Sequence, residues 1–407
     1  MSALRPLRGK RVIELGSMIA APFATHILSQ LGAEVVKIEP PSGDTTRSLV
    51  RGGPSGTIVA YGHSKRALCL DLTSEAGKAV FRRLVKQSDV IVHNLAPGAA
   101  RKLKVTADDC MAVNPALVHV HIKGYTHGPQ ADDLMTNPIA EAATGAMDEH
   151  RVDGRPTRFG PSYHDQFAGT YAVIRVLAAL LDPQADEEAR RIEIGLYETG
   201  LHLAARDLAG MQLKTQLLGK LSKEGGGEFS MPGYGSYLTK DGCWVYLLIL
   251  TDAHWAKLTA ALDMPEDGDP AYLRLRDRKK ERDVVEAAVV AAVQKYTYAE
   301  LESRLQAAGI GFNEVMPLER VLEKPQARQP GKLREVEYRG LDFEVPEFPG
   351  SREVPENLPP PEIGEHTREI LADLGYGDEE MARMLESGAA KEGDSSDFAW
   401  APVQKDR

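Results

Sequence analysis

Cysteine is scarce: Cys69, Cys110 and Cys243 are the only three in 407 residues. They stand far apart and form no CxxC, which argues against a disulfide framework or a zinc site and reads as buried, reduced thiols. Long apolar runs are missing as well. No stretch approaches the ~20 residues of a membrane span, and the N-terminal Met-Ser-Ala-Leu-Arg-Pro-Leu-Arg-Gly-Lys lacks the apolar centre of a secretory signal. A cytoplasmic protein without membrane attachment is the expectation. Basic charge is not in excess: Lys plus Arg number 49 against 59 Asp plus Glu, a net charge of −10. A nucleic-acid binder needs a basic face to displace phosphate counterions, so that class is set aside. With 37 Gly and 25 Pro, the chain is neither collagen-like nor compositionally disordered.

Familiar catalytic motifs are absent too. There is no P-loop, no GxSxG elbow and no HExxH. Gly16 follows a strand, but Gly-Ser-Met-Ile-Ala-Ala is not GxGxxG, which sets aside a nicotinamide enzyme. His119 and His121 share one strand face without an acidic partner close in sequence, so no metal is expected.

What is present is an alternation of strands and helices. Residues 10–15 read as a strand, Pro22 to Leu31 as a helix, and Glu34–Glu39 as a second strand, together a βαβ unit. Strands are expected at 67–72, 89–92, 117–122 and 191–195, and helices at 75–86 and 165–181. The pattern predicts an α/β protein with an open, doubly wound parallel sheet. The Gly-, Lys- and Ser-rich stretch 219–235 reads as a loop. A hairpin around Lys240-Asp241-Gly242 and helices over 254–309 suggest a smaller second domain. The prolines at 346, 349, 355, 359, 360 and 361, with Pro330 upstream in the same connection, mark the segment from Pro346 to Pro361 as an extended strap. One last helix, 365–374, and a polar tail of fifteen residues without fixed structure complete the reading. The expected division is 1–215, 225–325 and 330–407.

Basic stations stand out against the acidic background: Arg47 after the second strand, Arg66 before the third, and Arg101, Lys102 and Lys104 after the fourth. Outside strand ends, such groups could hold phosphates, or they could be solvated surface charge. Asp165 is the candidate nucleophile. It opens a long apolar helix, where backbone N–H groups would keep a carboxylate ionised. A plain helix cap is the alternative use of the same residue.

An ordered set of segments resembles the class III CoA-transferases of CaiB/BaiF type. The set begins with Leu7-Arg8-Gly9-Lys10-Arg11-Val12-Ile13-Glu14-Leu15 and Ala21-Pro22. It continues through Leu31–Pro40, Gly43-Asp44…Arg47, Ser64-Lys65-Arg66…Leu70-Asp71-Leu72 and Asp89-Val90-Ile91-Val92…Asn94…Pro97-Gly98. Asn114-Pro115…Lys123-Gly124-Tyr125, Asp165…Ala168-Gly169 and Pro361…Gly364-Glu365-His366-Thr367 complete it. This group holds carnitine, bile-acid and formyl-CoA transferases and α-methylacyl-CoA racemase. Tyr197-Glu198 and the stretch 223–242 are most similar to the carnitine branch.

The resemblance implies transfer of CoA from an acyl-CoA to a free carboxylic acid, with CoA as substrate and no tightly bound cofactor. It implies Asp165 as the catalytic aspartate, with CoA contacts from Ala20, Arg47, Arg66, Leu70, Asp71, Asn94, Leu95, Arg101, Lys102 and Lys104. Gly225, Gly226 and Gly227 would form a loop over the active site. It also implies an interlocked homodimer, each chain a ring threaded through the other, with a large domain built from both chain ends. The departures matter. Thr136-Asn137 stands where the racemase branch has a proton-abstracting His-Asp pair, which disfavours the racemase alternative. Ile19 stands near a glutamine of the formyl branch, which puts formyl-CoA or oxalate in doubt. A CoA-binding subunit of a heteromeric transferase is the other alternative.

Overall fold

A computed structural model describes residues 5–50, 54–218, 231–264, 272–350 and 358–393. The chain divides into two compact units. One is made from both chain ends, Met1–Ala205 with Gln329–Arg407, and the other is Arg206–Arg328. The glycines at 225, 226 and 227 and the tail from 394 lie outside the described residues.

The large unit opens with β1 (Arg11–Leu15), α1 (Ala20–Gln30) and β2 (Glu34–Glu39). It continues with α2 (Gly56–Gly62), β3 (Arg66–Leu70), α3 (Glu75–Lys86), β4 (Val90–His93), α4 (Pro97–Leu103), α5 (Ala107–Met111) and β5 (Val118–Lys123). Next come α6 (Asn137–Ala143), α7 (Ala146–Glu149), the short pair β6 (Arg151–Val152) and β7 (Arg155–Pro156), and α8 (Tyr163–Leu181). Then α9 (Glu187–Arg190), β8 (Arg191–Gly195) and α10 (Leu196–Leu203) follow.

Helix α11 (Ala205–Leu218) leads into the second unit, which holds β9 (Gly235–Leu238), β10 (Trp244–Leu248), α12 (Asp252–Ala261), α13 (Leu275–Lys280), α14 (Arg282–Val293), α15 (Tyr298–Ala308) and β11 (Gly311–Glu314). There β10 pairs antiparallel with both β9 and β11, and the sheet packs on α12, α14 and α15 around Trp255, Leu258, Val289 and Leu301. The chain then re-enters the large unit as β12 (Leu333–Tyr338), β13 (Leu341–Pro346), α16 (Thr367–Asp373), α17 (Asp378–Glu386) and β14 (Ala390–Lys391).

Seven strands form the main sheet in the order β14-β3-β2-β1-β4-β5-β8, all parallel except β14. Both faces are covered, so β1, β2, β4 and β5 are buried nearly throughout, as a parallel sheet requires. Val12, Val35, Val92 and Val120 meet α1 and α8 on one face; Ile13, Ile38, Leu68 and Ile91 meet α3, α16 and α17 on the other.

Three features depart from expectation. Residues 333–346 form a β-hairpin, turned by Arg339 and Gly340 at φ 54° and 71°. Its Val336, Tyr338 and Val345 pack on Ile58 and Val59 of α2. A further helix, α17, follows α16. Finally, β14 closes the sheet edge beside β3.

Candidate active site

The strand order reverses at β1, with β2 on one side and β4 on the other. In open α/β sheets, ligands bind outside the carboxyl ends of the strands at this point. Asn94, just after β4, clamps the β1–α1 turn there. Its Oδ1 accepts from Ser17 N at 3.1 Å and its Nδ2 donates to Ser17 O at 2.9 Å. Thr46 Oγ1 accepts from Met18 N at 2.9 Å. A Cβ on Gly16 would sit 2.7 Å from Ala21 Cβ, so the turn requires glycine. Ala20 then opens α1, whose N-cap residue Ile19 makes no side-chain hydrogen bond.

Helix α8 reaches this turn through Gly169. A Cβ there would stand 2.8 Å from Ala20 O and 3.1 Å from Phe23 Cδ1. Asp165 lies one helical turn earlier, ~6 Å along the axis. Four residues apart, Asp165 and Gly169 share one face of α8, the face that meets α1 at Gly169.

The Asp165 carboxylate is half-buried, and among the described residues no donor is bonded to it. The expectation that backbone N–H groups would hold it ionised is corrected. Those groups are occupied: Asn137 Oδ1 accepts from His164 N at 2.9 Å and from Asp165 N at 3.4 Å. Burial pushes Asp165 up to about 6, against Arg158 and with help from the Glu141 carboxylate. It remains mostly ionised at neutral pH. His164 is buried and lowered by burial. Thr144 Oγ1 donates to Ala140 O at 2.7 Å and so accepts from His164 Nε2 at 3.1 Å, which leaves His164 Nδ1 buried and without a partner among the described residues. The sequence marks Asn137 only as a departure from the racemase branch and gives no sign of Glu141; a polar pair four apart on a short helix carries little signal by itself.

The predicted CoA contacts separate into two sets. Leu70, Asp71, Asn94 and Leu95 belong to the carboxyl ends of β3 and β4 or the turns beyond them, Ala20 opens the helix after β1, and Arg101 lies in the last turn of α4. Asp71 accepts from Thr73 N and Oγ1 at 2.9 and 2.7 Å, and Leu95 O accepts from His121 Nε2 at 2.8 Å. Arg101 is exposed and forks onto Asp132 at 2.9 and 3.2 Å. Lys102 and Lys104 are exposed at the end of α4, with Lys104 Nζ 3.9 Å from Asp109.

Arg47 and Arg66 are not brought to this edge as free cations. Arg47 is buried, bidentate to Glu39 at 2.6 and 2.8 Å, and also donates to Tyr338 Oη and Pro361 O, each at 3.0 Å. Arg66 begins β3, at the opposite end of the sheet from the turns above. It is paired with Glu34 and Asp373, both at 2.9 Å. The histidines are spent on packing: His119 Nε2 binds Val105 O at 3.0 Å, and His121 stacks on His93 with centroids 4.1 Å apart. Among the described residues, no group of three His, Cys, Asp or Glu side chains is placed to hold a metal.

Comparison with known proteins adds to this geometry. A Chloroflexus aurantiacus protein named succinyl-CoA–D-citramalate CoA-transferase is 28% identical over 93% of this chain and 97% of its own. An Escherichia coli formyl-CoA:oxalate CoA-transferase is 28% identical over 94% of this chain and 99% of its own. The alpha subunit of a Chloroflexus aurantiacus succinyl-CoA–L-malate CoA-transferase is 29% identical over 93% and 91%. Among solved structures, a CaiB/BaiF family protein from Brucella suis superposes with a TM-score of 0.76 at 24% identity, covering 91% of this chain and 99% of the other. A hypothetical protein from Mycobacterium tuberculosis superposes with a TM-score of 0.77 at 25% identity, covering 91% and 100%. No helix among the described residues is long and apolar enough to cross a membrane. The family description "CoA-transferase family III" matches residues 7–367, and the chain therefore belongs to that family of class III CoA-transferases.

Proposed function

We propose that this enzyme moves CoA from an acyl-CoA donor to a free carboxylic acid through covalent intermediates on Asp165. The observation that carries the reading is a half-buried carboxylate at the head of α8, with no donor bonded to it among the described residues and pushed up by burial to about 6. In the first step the carboxylate attacks the donor thioester carbonyl, giving a mixed anhydride and CoA thiolate. The thiolate then attacks the aspartyl carbonyl, releasing the donor acid and leaving an aspartyl-CoA thioester. The acceptor carboxylate attacks that thioester and expels thiolate, which takes the new acyl group and restores the aspartate. Each step exchanges a carboxylate for a thiolate, which is how covalent catalysis divides one difficult transfer. Backbone N–H groups at the uncapped start of α1 would stabilise developing oxyanions. Gly225, Gly226 and Gly227 are proposed to shield the anhydride from water.

CoA is proposed to lie along the turns carrying Ala20, Leu70, Asp71, Asn94 and Leu95, with Arg101, Lys102 and Lys104 reaching its phosphates. Succinyl-CoA is the first donor to try, because two relatives are named for it. The test is CoA exchange between succinyl-CoA and a panel of free acids, with mass spectrometry for an aspartyl-CoA adduct. Asp165→Ala should abolish both; full exchange by that variant would end the reading.

A homodimer is proposed as the working state. Phe167, Ile174 and Leu181 are exposed at seven-residue steps along α8, and Met211, Leu213 and Leu217 are exposed on α11. A single-chain mass by sedimentation would remove this proposal.

A further inference from the structure

An aspartate at the third position of a helix is well placed to fold back onto the open N–H groups of the first turn. Asp165 does not. The N-cap residue Ser162 makes no side-chain hydrogen bond either. The N-cap's role passes to Asn137, which reaches across from α6 to accept from His164 N at 2.9 Å and Asp165 N at 3.4 Å. Asn137 can offer its oxygen because its amide is held one way round. Its Nδ2 donates to Glu141 Oε1, and Glu141 Oε2 accepts from Phe159 N at 3.0 Å. A carboxylate has no proton to give, so the amide nitrogen faces Glu141 and the oxygen faces α8. Both side chains are 2% exposed, so water cannot take either place.

We infer that Asn137 and Glu141 are positioning residues for CoA transfer: they cap α8 in place of Asp165 and leave its carboxylate unbonded for attack on the thioester. This inference rests on Asp165 being the nucleophile. Its physical content is a competition. Without Asn137, the Asp165 carboxylate is drawn back onto its own helix, where N–H donors stabilise the charged form and blunt its nucleophilicity.

Other charges around α8 do not replace the pair. Arg158 lowers Asp165 and Glu141 raises it, both less than burial does. On α10, His202 binds Tyr171 Oη and Glu198 binds Thr126; on α1, His26 faces His63; on β5, Lys123 pairs with Glu193 of β8.

The test is a donor–acceptor swap in the full-length enzyme, read in two ways. The first readout is the pH midpoint of Asp165 labelling by a carbodiimide and glycine ethyl ester, followed by peptide mass spectrometry; it needs no turnover. The second is kcat and KM with succinyl-CoA. The wild-type midpoint is expected at about 6. Asn137→Ala should move it toward the ordinary ~3.9 and lower kcat roughly ten- to a hundred-fold, with KM little changed. Asn137→Asp sets two carboxylates against each other and should also lower kcat. Asn137→Asp combined with Glu141→Gln reverses the pair: a carboxylate on the first residue of α6 now accepts, and an amide one turn later donates to it. The double variant should recover midpoint and kcat together. A folded Asn137→Ala protein with unchanged midpoint and kcat would overturn the inference. So would a double variant no better than Asn137→Asp, which decides the matter if Asn137→Ala fails to fold. If Asp165 is not the nucleophile, exchange survives Asp165→Ala while the labelling midpoints still shift, so the two failures are distinguishable.

Discussion

Asp165 carries opposing demands from stability and chemistry. Its carboxyl titrates at about 6 in the fold rather than at the usual 3.8, because burial penalises the charged form. A raised carboxyl pKa means the folded state holds its proton more tightly than the unfolded chain does. This group therefore disfavours folding above pH 6, and the penalty fades as pH falls from about 6 toward 4. Asp165→Asn removes the charge and should raise stability at pH 7.5 by about 1–2 kcal/mol, discounted for partial exposure, while abolishing transfer. Urea denaturation of the two proteins at pH 7.5 and pH 4.5 checks this; the gap should close at the lower pH. In the active enzyme, kcat/KM for the acyl-CoA should fall with an acid limb near pH 6.

At the scale of elements, the site depends on how closely α8 approaches α1. Gly169 makes that approach possible, since a Cβ would meet Ala20 O at 2.8 Å and Ala24 N at 3.3 Å. Gly200 plays a similar part on α10, where a Cβ would meet Thr144 Oγ1 and His164 Nε2, both at 2.7 Å. Gly169→Ala must push α8 off α1, because the opposing atoms are backbone and cannot rotate away. The expected result is a loss of about 1–3 kcal/mol in stability and a larger loss in kcat than in binding, read by thermal melting and by succinyl-CoA kinetics. Wild-type kcat in Gly169→Ala would show that the helix spacing is not what sets Asp165. Both glycines sit inside helices, where sequence pattern treats them as weak helix formers rather than as contacts.

For the whole molecule, a buried ionic network joins distant parts of the large unit. Glu14 binds Lys37 at 2.8 Å and Lys65 at 2.6 Å, and Lys37 also binds Asp44 at 2.9 Å. The two lysines hold Glu14 down to about 2 despite its complete burial. Beside it, Arg47 joins Glu39 of β2 to Tyr338 of the hairpin and Pro361 of the C-terminal segment. Arg47 thus fastens the two chain ends into one unit. Arg47→Ala leaves Glu39 buried without its ion-pair partner, keeping only the bond from Asp44 N, and should destabilise the protein by about 3–5 kcal/mol. Arg101→Ala, at an exposed pair, should leave the melting temperature unchanged and raise KM for acyl-CoA, more at low salt than at high salt. The opposite pattern, a stable Arg47 variant with weakened CoA binding, would restore Arg47 to the ligand.

Much of this architecture is legible in the residues. Near-continuous apolar runs such as Val-Ile-Glu-Leu and Glu-Val-Val-Lys-Ile-Glu predict buried parallel strands, and β2, α3 and β8 fall on their expected bounds. The hairpin has a local signal too, in the alternation of 333–338 before Arg339-Gly340, although the prolines downstream point to an extended strap. Asp165 stands out because a charged residue at the head of an apolar helix is locally unusual. Which cations face a ligand cannot be read in the same way. Arg47, Arg66 and Arg101 look alike in one dimension, and only folding shows that Glu39, Pro361 and Asp373 claim the first two. The same limit hides the capping role of Asn137, whose partners lie 27 and 28 residues away. Local sequence determines strands, helices and a reactive carboxylate because those depend on neighbouring residues. Its freedom to react was decided by the tertiary structure, because the groups that cap its helix and set its charge come from other elements.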